Sequence, residues 1–365
     1  LRDLAIRSLV RMYWPERRLF GWCLRRRGDQ VMLEGVSGRY TATVLLSLAT
    51  ETQAVASEVL HGQSAMDVME HLVGDVMEGQ DIGEVALALW AARVLGHDGA
   101  GRLLDRLRAM DPVGGSWPTV ETAWSLTALS VAGSDVRDDG LAEAIAGRLL
   151  GSFVEGSRLF THWPTGAGGG WRGHVCCFAD FVYPVQALSA HYLKTEDERA
   201  LATARVCADR MCGRLQGRAG QWWWHFDSRT GRVVEKYPVY AVHQDSMAPM
   251  ALLVLQRAGG GDYLDAIGRG LAWLVDPPEI EGALIDRKEG VIWRKVARRD
   301  PRKLVRGVQA GASRLWSGLR LPGLGLVFPP VGVDWESRPY HMGWILHAWP
   351  TDWRARLAAN KGNGA

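Results

Sequence analysis

Side chains able to donate a proton, accept one or bind an anion stand just ahead of, or at the start of, apolar helical stretches. They are Asp81, Glu84, Glu121, Asp180, His243, Asp245, Arg338, Tyr340 and His341. A carboxyl at such a place can simply cap the helix, whose first N–H groups have no partner within it. It can also do chemistry, because helix starts favour negative charge and a carboxyl desolvated among aromatic rings keeps its proton to higher pH. His243-x-Asp245 is the most pointed pair: at one helix start, the imidazole can orient or tune Asp245 as a general acid. Asp81 and Glu84 are the second catalytic pair. Asp180, Tyr183, Tyr240, Arg338, Tyr340 and His341 are candidate substrate contacts.

Tryptophan is the compositional outlier, with 17 copies in 365 residues. That number implies an aromatic cavity or heavy packing between helices. Trp222, Trp223 and Trp224 are consecutive, so on a strand they alternate faces and cannot all line one wall. Trp222 suits a structural place, and Trp223 or Trp224 joins Trp124, Trp171 and Trp344 as the candidate wall. Such rings stabilise cations through their faces and equally stack on sugars.

The elements that must position these groups repeat. A polar opener followed by a small-residue apolar helix recurs at Arg39-Tyr40, Asp81, Glu121, Asp180, Asp245 and Tyr340-His341. The spacing predicts inner helices starting near residues 39, 81, 120, 179, 244 and 340. They are apolar almost all round, which calls for burial on most faces. One-sided charged segments such as LLDRLRAM and LATARVCADRMCGRL alternate with them as outer helices. The expected fold is all-α: an (α/α)6 toroid spanning residues 1–365 as one domain, with a two-domain solenoid as the alternative. A short β-hairpin insertion turns at Ser228 to Gly231, and a long excursion covers about 275–335.

Apolar residues make up 47% and charged residues 23%, the balance of a globular protein. A net charge of +3 offers no global argument for nucleic acid. Two basic runs, Arg25 to Arg27 and Arg298, Arg299, Arg302, Lys303 and Arg306, read as solvated faces or anion-binding rims. Five cysteines without a CxxC pair suit a reduced, cytoplasmic protein. No apolar run approaches the length of a membrane span. The basic, amphipathic stretch Leu1 to Arg27 suits a packed outer helix, with membrane-surface contact as the alternative. GAGGGW lacks the ending of a phosphate-binding loop, and no cofactor is expected.

Several phrases resemble the terpenoid cyclase and protein prenyltransferase superfamily of toroids. QGRAGQW, from Gln216 to Trp222, matches the Q-x-x-x-G-x-W motif of squalene–hopene-type cyclases. GGSWPTVETAWSLTALS resembles their G-x-W turn and inner helix. GGWRGHVCCFADFVYPVQAL and RPYHMGWIL resemble the phrases carrying zinc ligands in the prenyltransferase β subunit. The resemblance places Asp180 and His341 at ligand positions, but Val182 stands where the cysteine belongs, so no metal is expected. It implies a prenyl or isoprenoid small-molecule substrate, cyclised by proton transfer from Asp245, with His243 orienting it in a tryptophan-lined cavity. Related rhythms occur in glycan-cleaving toroids. The alternative is therefore a hydrolase, lyase or epimerase of an acidic glycan, in which Tyr340, His341 and Arg338 act on a uronate. A toroid that has lost its chemistry is the third reading. A dry, apolar cavity would favour the prenyl chain; an open polar groove with exposed tryptophan would favour the glycan.

Overall fold

A computed structural model of the chain describes residues 1–131, 138–164, 170–298, 304–317, 319, 321, 323–330 and 332–353. Arg299, Arg302 and Lys303 of the second basic run, and most of GAGGG, lie outside the described residues. The helices are α1 Arg2–Met12, α2 Gly38–Leu48, α3 Gln53–Val59, α4 Ala65–Glu78, α5 Ile82–Leu95, α6 Ala100–Ala109, α7 Thr119–Ser130 and α8 Asp139–Leu150. They continue as α9 Ala179–Thr195, α10 Glu198–Arg210, α11 Ala248–Arg257, α12 Leu264–Val275, α13 Leu304–Leu315, α14 Leu324–Val327 and α15 Pro339–Ala348.

Six of these, α2, α5, α7, α9, α11 and α15, form the inner ring expected from the repeat. Each packs on the next, and α15 closes on α2. Their composition dictates the place: in α5 every residue from Ile82 to Arg93 is buried except Glu84. Outer helices α4, α6, α8, α10 and α12 pack behind the ring, and α1 packs behind α15. Because α1 turns Leu4, Ala5, Leu9 and Met12 into that contact, its apolar stripe belongs to an outer helix. The fold is the all-α toroid.

Local chemistry sets where the inner helices begin. The Ser37 side chain accepts from the Tyr40 N–H at 3.2 Å, and Asp81 accepts from Gly83 and Glu84. The fifth start is less regular: α11 is preceded by a π-helical turn, His243–Met247. The Gln216 to Trp222 turn anchors it. Gln216 donates to the carbonyls of Gly220 and Ala266, while the Trp222 N–H donates to the Gln244 side chain at 2.9 Å. Gly220 sits at φ +98, where a Cβ would collide with the Arg269 carbonyl.

The expected hairpin pairs His225–Asp227 with Val233–Glu235, and Val175–Cys177 adds a third strand. Among the described residues, two further three-stranded sheets and three two-stranded ones were not foreseen. One three-stranded sheet joins Cys23–Arg27, Gln30–Glu34 and Glu336–Ser337; the other joins Val239–Tyr240, Lys295–Ala297 and Gly332–Asp334. Two- and three-residue strands carry too little alternation to announce themselves. The first sheet also consumes the Arg25 to Arg27 run. Arg25 pairs with Glu34 and Glu336, Arg27 with Glu34, and Arg26 with Asp286, so the run is ion-paired, with Arg27 still largely exposed to solvent.

Candidate functional site

The first turns of five inner helices, and the π-helical turn before α11, line one cavity of about 660 Å³. Arg39 and Tyr40 come from α2, Asp81 and Glu84 from the start of α5, Trp124 from α7, and Tyr183 from α9. His243 comes from the π-helical turn, and Tyr340 and Trp344 from α15. Trp22, Trp224, Tyr240 and Arg294 complete the lining from the strands and loops. The inner helices thus direct their starts to one end, where unpaired N–H groups favour anionic groups.

One side of the cavity is acidic and organised by Arg39. Its guanidinium meets Asp81 at 2.6 Å and Glu121 at 3.5 Å, and lies over the Trp124 ring at 5.0 Å. Gly83 makes this closeness possible, since a Cβ there would press on Arg39, Glu121 and Trp124. Asp81 is exposed at the cavity mouth and held there by Arg39 and by two backbone N–H groups. Glu84 differs. Burial and the neighbouring negative charge of Asp81 push its pKa up, although the Arg39 backbone N–H and charge oppose this. Burial likewise raises Glu121, whose Oε2 is buried without a partner.

The other side is aromatic and cationic. Trp22, 42% exposed, stacks on Tyr40 at 4.9 Å, and Tyr40 meets Tyr340 at the same separation. Arg338 donates to the Tyr40 hydroxyl at 2.7 Å, lies over Trp22 at 4.5 Å, and is held by Glu336 at 2.9 Å. Arg294 pairs with Glu336 at 2.9 Å and lies over Tyr240 at 5.2 Å. Deeper in, Trp124 packs edge-on to Tyr183 at 5.1 Å, and its indole N–H is buried without a partner. His243 stacks on Phe178 at 4.5 Å, and burial lowers its pKa to about 3, so it is a neutral imidazole.

Of the residues singled out in the sequence, Asp81, Glu84, Trp124, Tyr183, Trp224, Tyr240, His243, Tyr340 and Trp344 meet in this cavity. Others stand elsewhere. Asp245 is fully buried, but its partner is His341 of α15, with Nε2 at 2.8 Å from both carboxyl oxygens; His243 does not orient it. Within the π-helical turn, Asp245 and His243 take different surroundings, and neither Asp245 nor His341 lines the cavity. Asp180 is also buried, accepting from the Cys177 N–H at 2.7 Å and meeting His162 Nδ1 at 2.9 Å. Burial opposes protonation of His162, but the hydrogen bond and charge of Asp180 prevail and raise its pKa. The two residues at zinc-ligand positions, Asp180 and His341, are therefore engaged with different partners.

Two of the expected wall residues are displaced. Trp171 is 56% exposed and lies against Gly311 and Arg314 of α13, outside the cavity. Trp223 is buried beside Tyr237 and Lys236; it and Trp224 lie in the irregular segment before the strand His225–Asp227. Arg338 acts from behind Tyr40 and is not in the lining. Trp22, Arg294 and His162 escaped the sequence reading, because no helical repeat marks them. Arg39 opens α2 as Asp81 opens α5, and that shared register was the signal for it.

No family model and no curated protein matches the chain. Solved structures do. Cellobiose 2-epimerase from Bacillus thermoamylovorans aligns with a TM-score of 0.62 at 10% identity, covering 95% of this chain and 97% of that one. An unsaturated glucuronyl hydrolase specific for heparin gives 0.58 at 13% identity, covering 99% and 96%. A sugar epimerase from a ruminal bacterium gives 0.60 at 10% identity, covering 94% and 95%. At these identities the likeness is one of fold. These structures are named as enzymes of sugars rather than of prenyl chains, and this overturns the expectation of prenyl cyclisation and of a prenyl substrate. The site gives the physical reason. Arg39, Arg294, Asp81 and Glu84 put charge into a largely aromatic lining, and Asp245, the expected acid, is locked to His341 outside it.

Proposed function

We propose that the chain is a carbohydrate-active enzyme that carries out acid-catalysed chemistry on an acidic sugar, as a hydrolase, lyase or epimerase, with Glu84 as the general acid. The observation that carries this is Glu84 itself: a half-buried carboxyl with a raised pKa, lining the cavity beside an exposed Asp81 that is ion-paired to Arg39. Two neighbouring carboxyls in unlike surroundings are the arrangement from which acid and charge-stabilising roles separate. The Trp22, Tyr40 and Tyr340 rings offer a platform on which a sugar ring can stack. Arg294, at the same rim, suits a uronate carboxylate. His243, neutral at working pH, can hydrogen-bond a hydroxyl without adding charge.

In this reading the sugar stacks on the platform with its reacting oxygen toward α5. In the hydrolase case Glu84 donates its proton to the glycosidic oxygen as the bond from that oxygen to the anomeric carbon breaks; Asp81 faces the positive charge that develops on the ring, and water adds to the anomeric carbon and returns a proton to Glu84. Arg39 keeps Asp81 and Glu121 in place. The likeness in fold to enzymes described as acting on sugars supports the same class. Residues 1–365 are read as one toroid domain in which the 275–335 segment borders the cavity through Arg294. Five free thiols are in keeping with a cytoplasmic setting.

The test is to incubate the protein with unsaturated uronyl disaccharides and with neutral disaccharides. Loss of the unsaturated chromophore, or new anomeric signals in NMR, is the expected result for the wild type, and Glu84→Gln should remove it. The reading fails if neither set of sugars is converted, or if Glu84→Gln retains full activity.

A further inference from the structure

Residues 301–333 hold five lysines and arginines and no acidic residue, a local charge of +5 in a chain whose total is +3. The stretch is also rich in leucine, and α13 sorts its residues onto two faces. Val305, Gln309, Ala310 and Ala312 are buried where α13 packs on the strand Val233–Glu235 and the turn Gly170–Arg172. Leu304, Val308 and Leu315, at helical spacings of four and seven, are exposed. Trp171 lies over Gly311 on that same face, where a Cβ would meet its ring at 2.6 Å. Leu315 is 83% and Trp316 75% exposed, and the exposed Leu319 extends the apolar surface beyond the helix.

Leu319 is at the same time the apolar edge of an open cavity of about 660 Å³ whose polar walls are Arg210, Arg214 and Arg232. Arg232 donates to the Ser317 carbonyl at 3.0 Å, which holds the hairpin against the end of α13. Among the described residues no acidic side chain lines this cavity or pairs with any of the three arginines. Arg210 is half-buried and its Nε has no partner. Burial first, and then the positive charges of Arg214 and Arg158, lower its pKa. Cations gathered in this way without counter-charges favour an arriving anion.

We propose that this face docks on an anionic lipid bilayer, with Leu304, Val308, Leu315 and Trp316 entering the boundary between headgroups and acyl chains and Arg210, Arg214 and Arg232 receiving lipid phosphates beside them. Anionic lipid is the occupant that both halves of the face call for, and Leu319 joins the halves. A helix with leucine and tryptophan on one side and arginine around it lies in the membrane interface, its apolar side sunk by about 5–10 Å. Arginines at headgroup level add attraction to anionic lipid. With 12 residues α13 is too short to cross a bilayer, which takes about 20, so it lies along the surface. The proposal stands apart from the carbohydrate reading, because none of these residues lines the main cavity.

The experiment is co-sedimentation of the full chain with vesicles of phosphatidylcholine alone and of phosphatidylcholine with about one third phosphatidylglycerol. Binding to the anionic vesicles should be at least about tenfold tighter than to the neutral ones, and should weaken as salt rises from about 0.1 to 0.5 M. Leu315→Ser with Trp316→Ser, both at exposed positions, should weaken it by at least about tenfold with the thermal melting curve unchanged. Arg214→Gln with Arg232→Gln, also exposed, should weaken binding to anionic vesicles by about 10- to 30-fold. The proposal is overturned if wild type does not sediment with anionic vesicles, if it sediments equally with both kinds, or if either double variant binds as wild type does. A wild type that is dimeric in sedimentation velocity, with a monomeric serine variant, overturns it in favour of a second copy of the chain. Tighter binding to a DNA duplex than to the vesicles overturns it in favour of nucleic acid.

Discussion

Two acidic centres stand at the same end of the inner ring, and their surroundings differ at nearly every point. Asp245 is fully buried, meets His341 with both oxygens and is crossed by the Trp349 indole N–H, which donates to its backbone carbonyl at 2.6 Å. That centre ties α15 to the turn before α11 and leaves no oxygen facing a ligand. The Asp81, Glu84 and Glu121 centre places three carboxyls around one guanidinium at the cavity. Burial first, and then the negative charge of Asp81, raise the pKa of Glu84 there. A closed pair holds helices together, whereas an open, charge-crowded group can exchange a proton.

The sharpest way to break this contrast is Glu84→Gln, which should lower turnover by about 10²–10⁴-fold while the thermal melting curve stays close to wild type. Asp245→Ala should do the reverse. It strands a buried His341, so denaturant titration should show a loss of about 3–5 kcal/mol, with sugar binding retained in the fraction that folds. An Asp245→Ala protein of native stability but no activity would exchange the two roles. Arg39→Met sharpens the contrast through pH. Glu84 acts protonated, so activity should fall as pH rises through its raised pKa. Removing the positive charge that lowers this pKa should move that limb to still higher pH in a kcat/KM profile. A limb moving to lower pH would remove Glu84 as the acid. The smallest effect is expected at the platform: Trp22→Ala should weaken sugar binding by about 2- to 10-fold, measured by calorimetry.

Much of the framework was readable in the chain because inner helices are unusual segments. Burial on nearly every face demands all-round apolar residues, so Ile82 to Leu95 and Thr119 to Ser130 stand out from one-sided neighbours such as Ala100–Ala109. The openers at the cavity followed from the same rhythm. Their pairing did not. His243 is two residues from Asp245 in the chain, yet His341 reaches it from 96 positions away, because the ring brings the fifth and sixth starts together. Sequence spacing reports neighbours on one helix, not neighbours across a closed ring. The choice of a prenyl chain failed for a different reason. Aromatic faces suit carbocations and sugars alike, and what separates the two is the ring of Arg39, Arg294 and carboxyls, assembled from distant segments.

Closure of the ring by α15 on α2 has a consequence for how the molecule forms. Arg2 bonds the Trp349 carbonyl and Glu51, and the strand Glu336–Ser337 pairs with Cys23–Arg27, so the seam joins segments about 300 residues apart. Contacts so remote in sequence carry a large loop-closure entropy and form after local helix pairs. During synthesis, five inner helices therefore wait for the sixth with both ends of the arc, α2 and α11, uncovered. The cavity lacks Tyr340 and Trp344 until α15 docks, so complete binding competence is expected to arrive with the seam.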